Sequence, residues 1–226
     1  MHIQAGNALF LEFISPLRPS TFKLRPASNT VIYTATITTA SLRLRESRII
    51  ADLLLQDLSE AAWKEAILER NVLQMSSIES IRRTSRLLRA RLKSFDQEIW
   101  QMVRDGDSQQ ASQTVLACAI KNSRLLGDFM EITLREQKLL FAKKLEYHMW
   151  NDYLGSCRGR DPDMPHWSDT TIARLRSTVL SMLAEVGYLK DTKSLLLQNV
   201  FVDTQLATYL RDHNQNYVLR CLEVFE

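Results

Sequence analysis

Apolar positions recur at helical spacing through most of this chain. In "SLRLRESRIIADLLLQD", Leu42, Ile49, Ile50, Leu53 and Leu54 fall on one face at about 100° per residue, which predicts an amphipathic helix. "SEAAWKEAILERN" predicts a second helix over about 60–70, with Ser59 as its N-cap. After the brief connection "VLQMSS", Ser76 and Glu79 form a capping-box pattern that opens a helix over 77–93. A further helix runs from Phe95 to Arg104 and stops at "DGD", where Gly106 suits a left-handed stop. Asp107 caps the helix "SQQASQTVLACAIKNSRLL", and "GDFMEITLREQKLLFAKKLEYHMWNDYL" continues helical in more than one piece. Ser168 caps "DTTIARLRSTVLSMLAEV", which ends at Gly187.

Three stretches break that period. "TVIYTATIT", 30–38, is β-branched and reads as a short strand. "LLLQNVFV" is strand-like, "DTQLATYLRDHNQ" is helical, and "YVLRCLEVF" reads as a strand or a final helix. The pattern predicts a mainly α protein, a helical bundle with a helix-turn-helix-like segment and a small C-terminal αβ, wing-like element. Residues 1–30, broken by Pro16, Pro19 and Pro26, read as an arm or extension. The turn-rich "GSCRGRDPDMPHWS", 155–168, is the best internal boundary. It separates a helical domain over 31–155 from a C-terminal helical subdomain with a short hairpin over 156–226.

Composition fits this picture. Six glycines and five prolines in 226 residues favour long helices over a many-turned β fold. Three widely spaced cysteines suggest no disulfide framework and a reducing compartment. There is no apolar run of about 18 residues, and the N-terminus lacks the basic lead and small-residue site of a signal peptide, so the expectation is a cytoplasmic protein without a membrane partner.

Charge changes the picture most at "SIESIRRTSRLLRARLK", residues 77–93, which holds six basic side chains and one acid, while the whole chain is only +3. On a helical projection Arg82, Arg86, Arg89 and Lys93 fall within about 60° of one another, and Ile78, Ile81, Leu88 and Leu92 gather roughly 100° away. Such a helix can dock on a core and present a cationic ridge, whose self-repulsion a polyanion relieves. Twenty of the 29 basic residues are Arg, whose planar fork suits phosphate. A helix, a short turn and a second helix with Ser77, Ser80, Arg82 and Arg83 near its start have the outline of a helix-turn-helix, and Arg43, Arg45 and Arg48 add charge from the helix before. The alternative is a solvated face whose Arg residues pair with carboxylates elsewhere in the fold, or one that meets an acidic protein. A second candidate surface, Ser168, Thr170, Thr171, Arg174 and Arg176 followed by the strand-like run, resembles a recognition helix and wing. Its low basic density favours a capped bundle helix instead.

Catalytic patterns are not evident. The glycines are dispersed, with no phosphate loop. His148, Cys157 and His166 match no compact ligand pair and lack a fourth ligand, so no metal or other cofactor is expected. Asp161 and Asp163 in "RDPDMP" read as turn residues, Cys118 as a buried inert thiol, and the four tryptophans as core.

Four stretches, "YTATITTASLRLRESRIIADLLL", "NVLQMSSIESIRRTSRLLRARL", "DGDSQQASQTVLACAIKNSRLLGDFM" and "WSDTTIARLRSTVLSMLAEVGYL", taken in that order, resemble the BrxA family of the bacteriophage exclusion (BREX) defence systems. The resemblance runs from about Tyr33 to near the C-terminus and contains no catalytic motif. It implies a mostly helical protein likened to the antitermination factor NusB, encoded beside a DNA methyltransferase and large ATPase-type components, with DNA binding as its activity. The expectation is therefore a non-catalytic, double-stranded-DNA-binding component of a defence assembly. Other BREX components are possible partners, and no small-molecule substrate is expected. A NusB-like RNA-binding factor and a protein adaptor are the alternatives.

Overall fold

Residues 111–120, "ASQTVLACAI", are buried without a break, so the helix that carries them, α5 (Ser108–Asn122), is enclosed on all sides. Its polar members are satisfied inside. The Thr114 hydroxyl donates to the Gln110 carbonyl at 2.7 Å and the Gln113 amide donates to the Phe201 carbonyl at 2.9 Å. Gln113 also accepts from the Asp203 N–H at 2.7 Å. The computed structural model describes residues 31–224; the expected N-terminal arm lies outside the described residues.

The other helices arrange themselves around α5. The chain enters through α1 (Leu44–Leu55) and α2 (Glu60–Lys64), which runs on as a π turn over Glu65–Glu69. Then come α3 (Ile78–Leu92) and α4 (Gln97–Asp105). α1 packs on α3 and α4, and both of those pack on α5. After α5, α6 (Arg124–Asp128) continues through a π turn over Phe129–Leu134 into α7 (Arg135–Leu139). α8 (His148–Arg160), α9 (Asp169–Val186), α10 (Thr204–Asp212) and α11 (Asn216–Leu222) complete the molecule, with α9 and α11 on α5. The fold is mainly helical, as the periodicity predicted. No helix among the described residues is long and apolar enough to cross a membrane.

The strand expectations are corrected. Residues 31–35 belong to no strand, and a 3-10 turn, Thr36–Thr39, follows. Tyr33 anchors this segment: its N–H donates to Asp161 Oδ2 at 2.9 Å and its hydroxyl to Asp128 Oδ2 at 2.7 Å. The wing-like element reduces to two isolated antiparallel bridges, Lys144–Leu196 and Leu189–Leu197. Leu195, at φ 52, begins that pairing from the left-handed region, its carbonyl accepting from the Leu145 N–H at 3.0 Å. Of the run read as a strand or a final helix, residues 217–222 lie in α11, the helical alternative.

Local signals at helix ends fared better, with two corrections. Ser59, Asp107 and Ser168 each accept an N–H of the first turn that follows, as expected. Gly187 ends α9 at φ 96, and the Tyr188 N–H closes back on the Leu183 carbonyl at 2.8 Å. The cap of α3 is Ser77 rather than Ser76, with its hydroxyl accepting from the Ser80 N–H at 3.2 Å. Gly106 is not left-handed, at φ −59. Glycine fits there because a Cβ would stand 2.4 Å from the Met102 carbonyl.

Candidate nucleic-acid interface

The α3 sequence sorts its side chains by face. Ile81, Thr84, Ser85, Leu88 and Leu92 are buried against the core. Arg82, Arg83, Arg86 and Lys93 are exposed, and no hydrogen bond or ion pair engages their side chains among the described residues. From Arg82 to Lys93 the helix advances about 16 Å at 1.5 Å per residue. The result is a row of bare cations, with Arg83 exposed off to one side in the second turn.

One arginine of the expected row, Arg89, is engaged, and a second of the basic run, Arg91, is buried. Arg89 donates through both terminal nitrogens to the Glu60 carboxylate, one at 3.0 Å, and lies over the Trp63 ring at 4.1 Å. That bidentate contact, reinforced by Lys93, holds the Glu60 carboxyl below the usual carboxylate range. Arg91 is 2% exposed and donates to the carbonyls of Ser41 at 2.8 Å and Ala40 at 3.1 Å. Burial lowers its pKa to about 10, so it remains charged at neutral pH. The four-membered ridge expected from sequence therefore narrows to Arg82, Arg86 and Lys93.

The preceding helix contributes less than expected. Arg48 donates to the carbonyls of Arg104, Gly106 and Asp107 at 2.9, 2.8 and 3.2 Å, so it closes the C-terminal end of α4. Arg45 bonds Gln74 in the connection before α3. Arg43, at φ 53, sits 3.7 Å from Glu46. At the second candidate surface, Arg174 is exposed, but the Arg176 guanidinium lies over the Tyr147 ring at 5.3 Å. The Ser168 hydroxyl bonds the hydroxyls of Thr170 and Thr171 at the α9 cap.

Sequence reasoning missed the wall facing the row. α2 and its π turn run beside α3, and between them opens a cleft of about 660 Å³. Trp63, Ile67 and Leu68 supply its floor, and Lys64 stands on its far rim. The signal was present in the 60–68 stripe at spacings of three and four, where a cation and a carboxylate interrupt an apolar face.

A family model described as BrxA matches residues 31–214. The chain belongs to the BrxA family of BREX defence proteins. One BrxA relative, the BREX protein BrxA of Paramagnetospirillum magneticum (strain ATCC 700264 / AMB-1), is 47% identical over 192 residues, covering 85% of this chain and 96% of its own. A second, from Escherichia coli O9:H4 (strain HS), is 30% identical over 182 residues, covering 80% of this chain and 85% of its own. The crystal structure of an uncharacterized protein from Magnetospirillum magneticum superposes with a TM-score of 0.80 at 46% identity, over 86% of this chain and all of that one. The BrxA match spans both the basic helix and the wall of the cleft opposite it.

Proposed function

We propose that this BrxA-family protein is a non-catalytic DNA-binding component of a BREX system and grips duplex phosphates through α3. The observation that carries the reading is the row of Arg82, Arg86 and Lys93, exposed and unpaired among the described residues on a helix whose opposite face is locked into the core. Arg83 is exposed beside Arg82 but lies about 100° around the helix, off this row. Three cations at helical spacing bind backbone charge without reading bases, so sequence preference is weak and affinity depends strongly on salt.

The test is a fluorescence-anisotropy titration against duplex DNA, single-stranded DNA and RNA. With three phosphate contacts, duplex affinity falls about 40-fold between 50 and 200 mM salt. Arg82→Glu combined with Arg86→Glu weakens binding to all duplex sequences and flattens that dependence to about 3-fold, as expected for one remaining contact. Unchanged duplex affinity in the double variant refutes the site. Tighter binding to RNA than to duplex DNA in direct competition replaces the DNA reading with an RNA one.

A further inference from the structure

The cleft beside α3 has features that phosphate gripping does not use. Its two walls are helices running side by side, and each presents a stripe at spacings of three and four. Trp63, Ile67 and Leu68 come from the α2 side, and Ala90 lies between the cations of α3. Cations stand on both rims, Lys64 on one and Arg82, Arg86 and Lys93 on the other. The one acid in the lining, Glu60, is already matched to Arg89. Two helices with an apolar seam between them leave the position of a third helix open.

We infer that this cleft docks an acidic amphipathic helix of a partner protein. Its length along α3, about 16 Å, accommodates three helical turns. Aliphatic side chains of the incoming helix at i, i+3, i+4 and i+7 fill the floor, as in helix-in-groove recognition. Carboxylates flanking that stripe on both sides meet Lys64 across from Arg82, Arg86 and Lys93. The methylene stems of these cations extend the apolar walls. An unpaired nucleotide fits less well. The Trp63 ring is buried, with the Arg89 guanidinium over one face, which leaves no open aromatic face for a base. The Ser85 hydroxyl donates to the Arg82 carbonyl at 3.2 Å rather than into the cleft. The remaining floor is aliphatic, with no group to read a base edge. A helix seated here covers Arg82, Arg86 and Lys93, so helix and duplex compete.

The probe is a fluorescein-labelled, lactam-stapled three-turn peptide with leucines at i, i+3, i+4 and i+7 and glutamates on both flanks. A version with serines in place of the leucines is the control. Two variants alter the floor and leave the cationic row intact: Ala90→Phe fills the cleft from an exposed position, and Leu68→Ser removes apolar surface from a half-buried one. The stapled peptide should bind saturably, displace duplex DNA and bind each floor variant at least 10-fold more weakly. The serine peptide should bind the unmodified protein at least 10-fold more weakly. Duplex binding by both variants should stay within 2-fold, and their circular dichroism melts should match the parent. This outcome is separate from the DNA reading, which is tested by the charge reversals and the RNA competition. Equal binding of leucine and serine peptides, or indifference to both floor variants, reduces the contact to rim charge and overturns the docking site. So does a selective loss of single-stranded oligonucleotide binding in the floor variants, which makes the cleft a nucleotide site instead.

Discussion

Arg89 and Arg91 stand two positions apart on one basic helix and do opposite work. Arg89 lies at the surface against Trp63 and Glu60, where water screens the pair and its contribution to stability is small. Arg91 points inward, and its guanidinium is the donor for the carbonyls of Ala40 and Ser41, which close the chain segment leading into α1. Arg91→Ala therefore strands one buried and one half-buried acceptor and opens a cavity. Unsatisfied buried groups cost about 1–3 kcal/mol each, and the cavity adds to that, so a loss of about 3–5 kcal/mol is expected in urea unfolding. Arg82→Ala, at an exposed position on the same helix, should stay within about 0.5 kcal/mol of the parent. Equal stabilities for the two variants contradict the assigned role of Arg91. A charge count sees both residues as part of one basic run, because it cannot tell which guanidinium finds carbonyls inside.

Helix ends are where sequence and structure agree most closely, and the reason is range. A cap is settled within four residues, so Ser59, Asp107, Ser168 and Gly187 were legible from their neighbours alone. The predicted strands failed because a strand needs a partner, and nothing nearby in the chain supplies one. The β-branched run around Tyr33 found Asp128 and Asp161 instead, 95 and 128 residues away. The same limit applied to the candidate site. The basic face of α3 follows from spacing, but the cleft depends on which helix lies alongside, and its acid Glu60 is 29 residues from Arg89. α5 offers the sharpest test of a local cap, because its body is buried and only its first turn relies on a side chain. Asp107→Ala removes the acceptor for the Gln110 N–H, now bonded at 2.8 Å, and should cost about 1 kcal/mol. Asp107→Asn keeps an acceptor there and should recover most of it. Identical losses for the two substitutions in denaturant unfolding transfer the effect from the cap to the charge.

Asp128 shows how distant parts of the molecule depend on one another. Its carboxylate accepts from Tyr33 at 2.7 Å and Tyr217 at 2.8 Å, and pairs with Arg124 at 2.8 Å, joining the first described segment to the last helix beneath α6. Gly127 permits this approach, since a Cβ there would stand 2.2 Å from the Tyr217 hydroxyl. Burial raises the phenols of Tyr33, Tyr153, Tyr209 and Tyr217 above their ordinary 10.0. It also raises the Cys157 thiol and pushes the thiols of Cys118 and Cys221 from 9.0 up to about 12. All of these groups are neutral when protonated, and the folded state holds their protons longer than the unfolded chain does. Their contribution is complete below pH 9.0 and is lost as pH rises through the thiol and then the phenol range toward about 12. Because these groups are spread over the whole core, they cannot ionise one at a time while the fold persists. With the exposed Tyr147 replaced by Phe, an alkaline titration should therefore show phenolate absorbance and loss of helical circular dichroism in a single transition, with the three thiols unreactive toward a disulfide reagent before it and all reactive after it. Phenols that ionise near pH 10 with the helices intact would mean that the tyrosines are solvated and that Asp128 does not tie the two ends of the fold together.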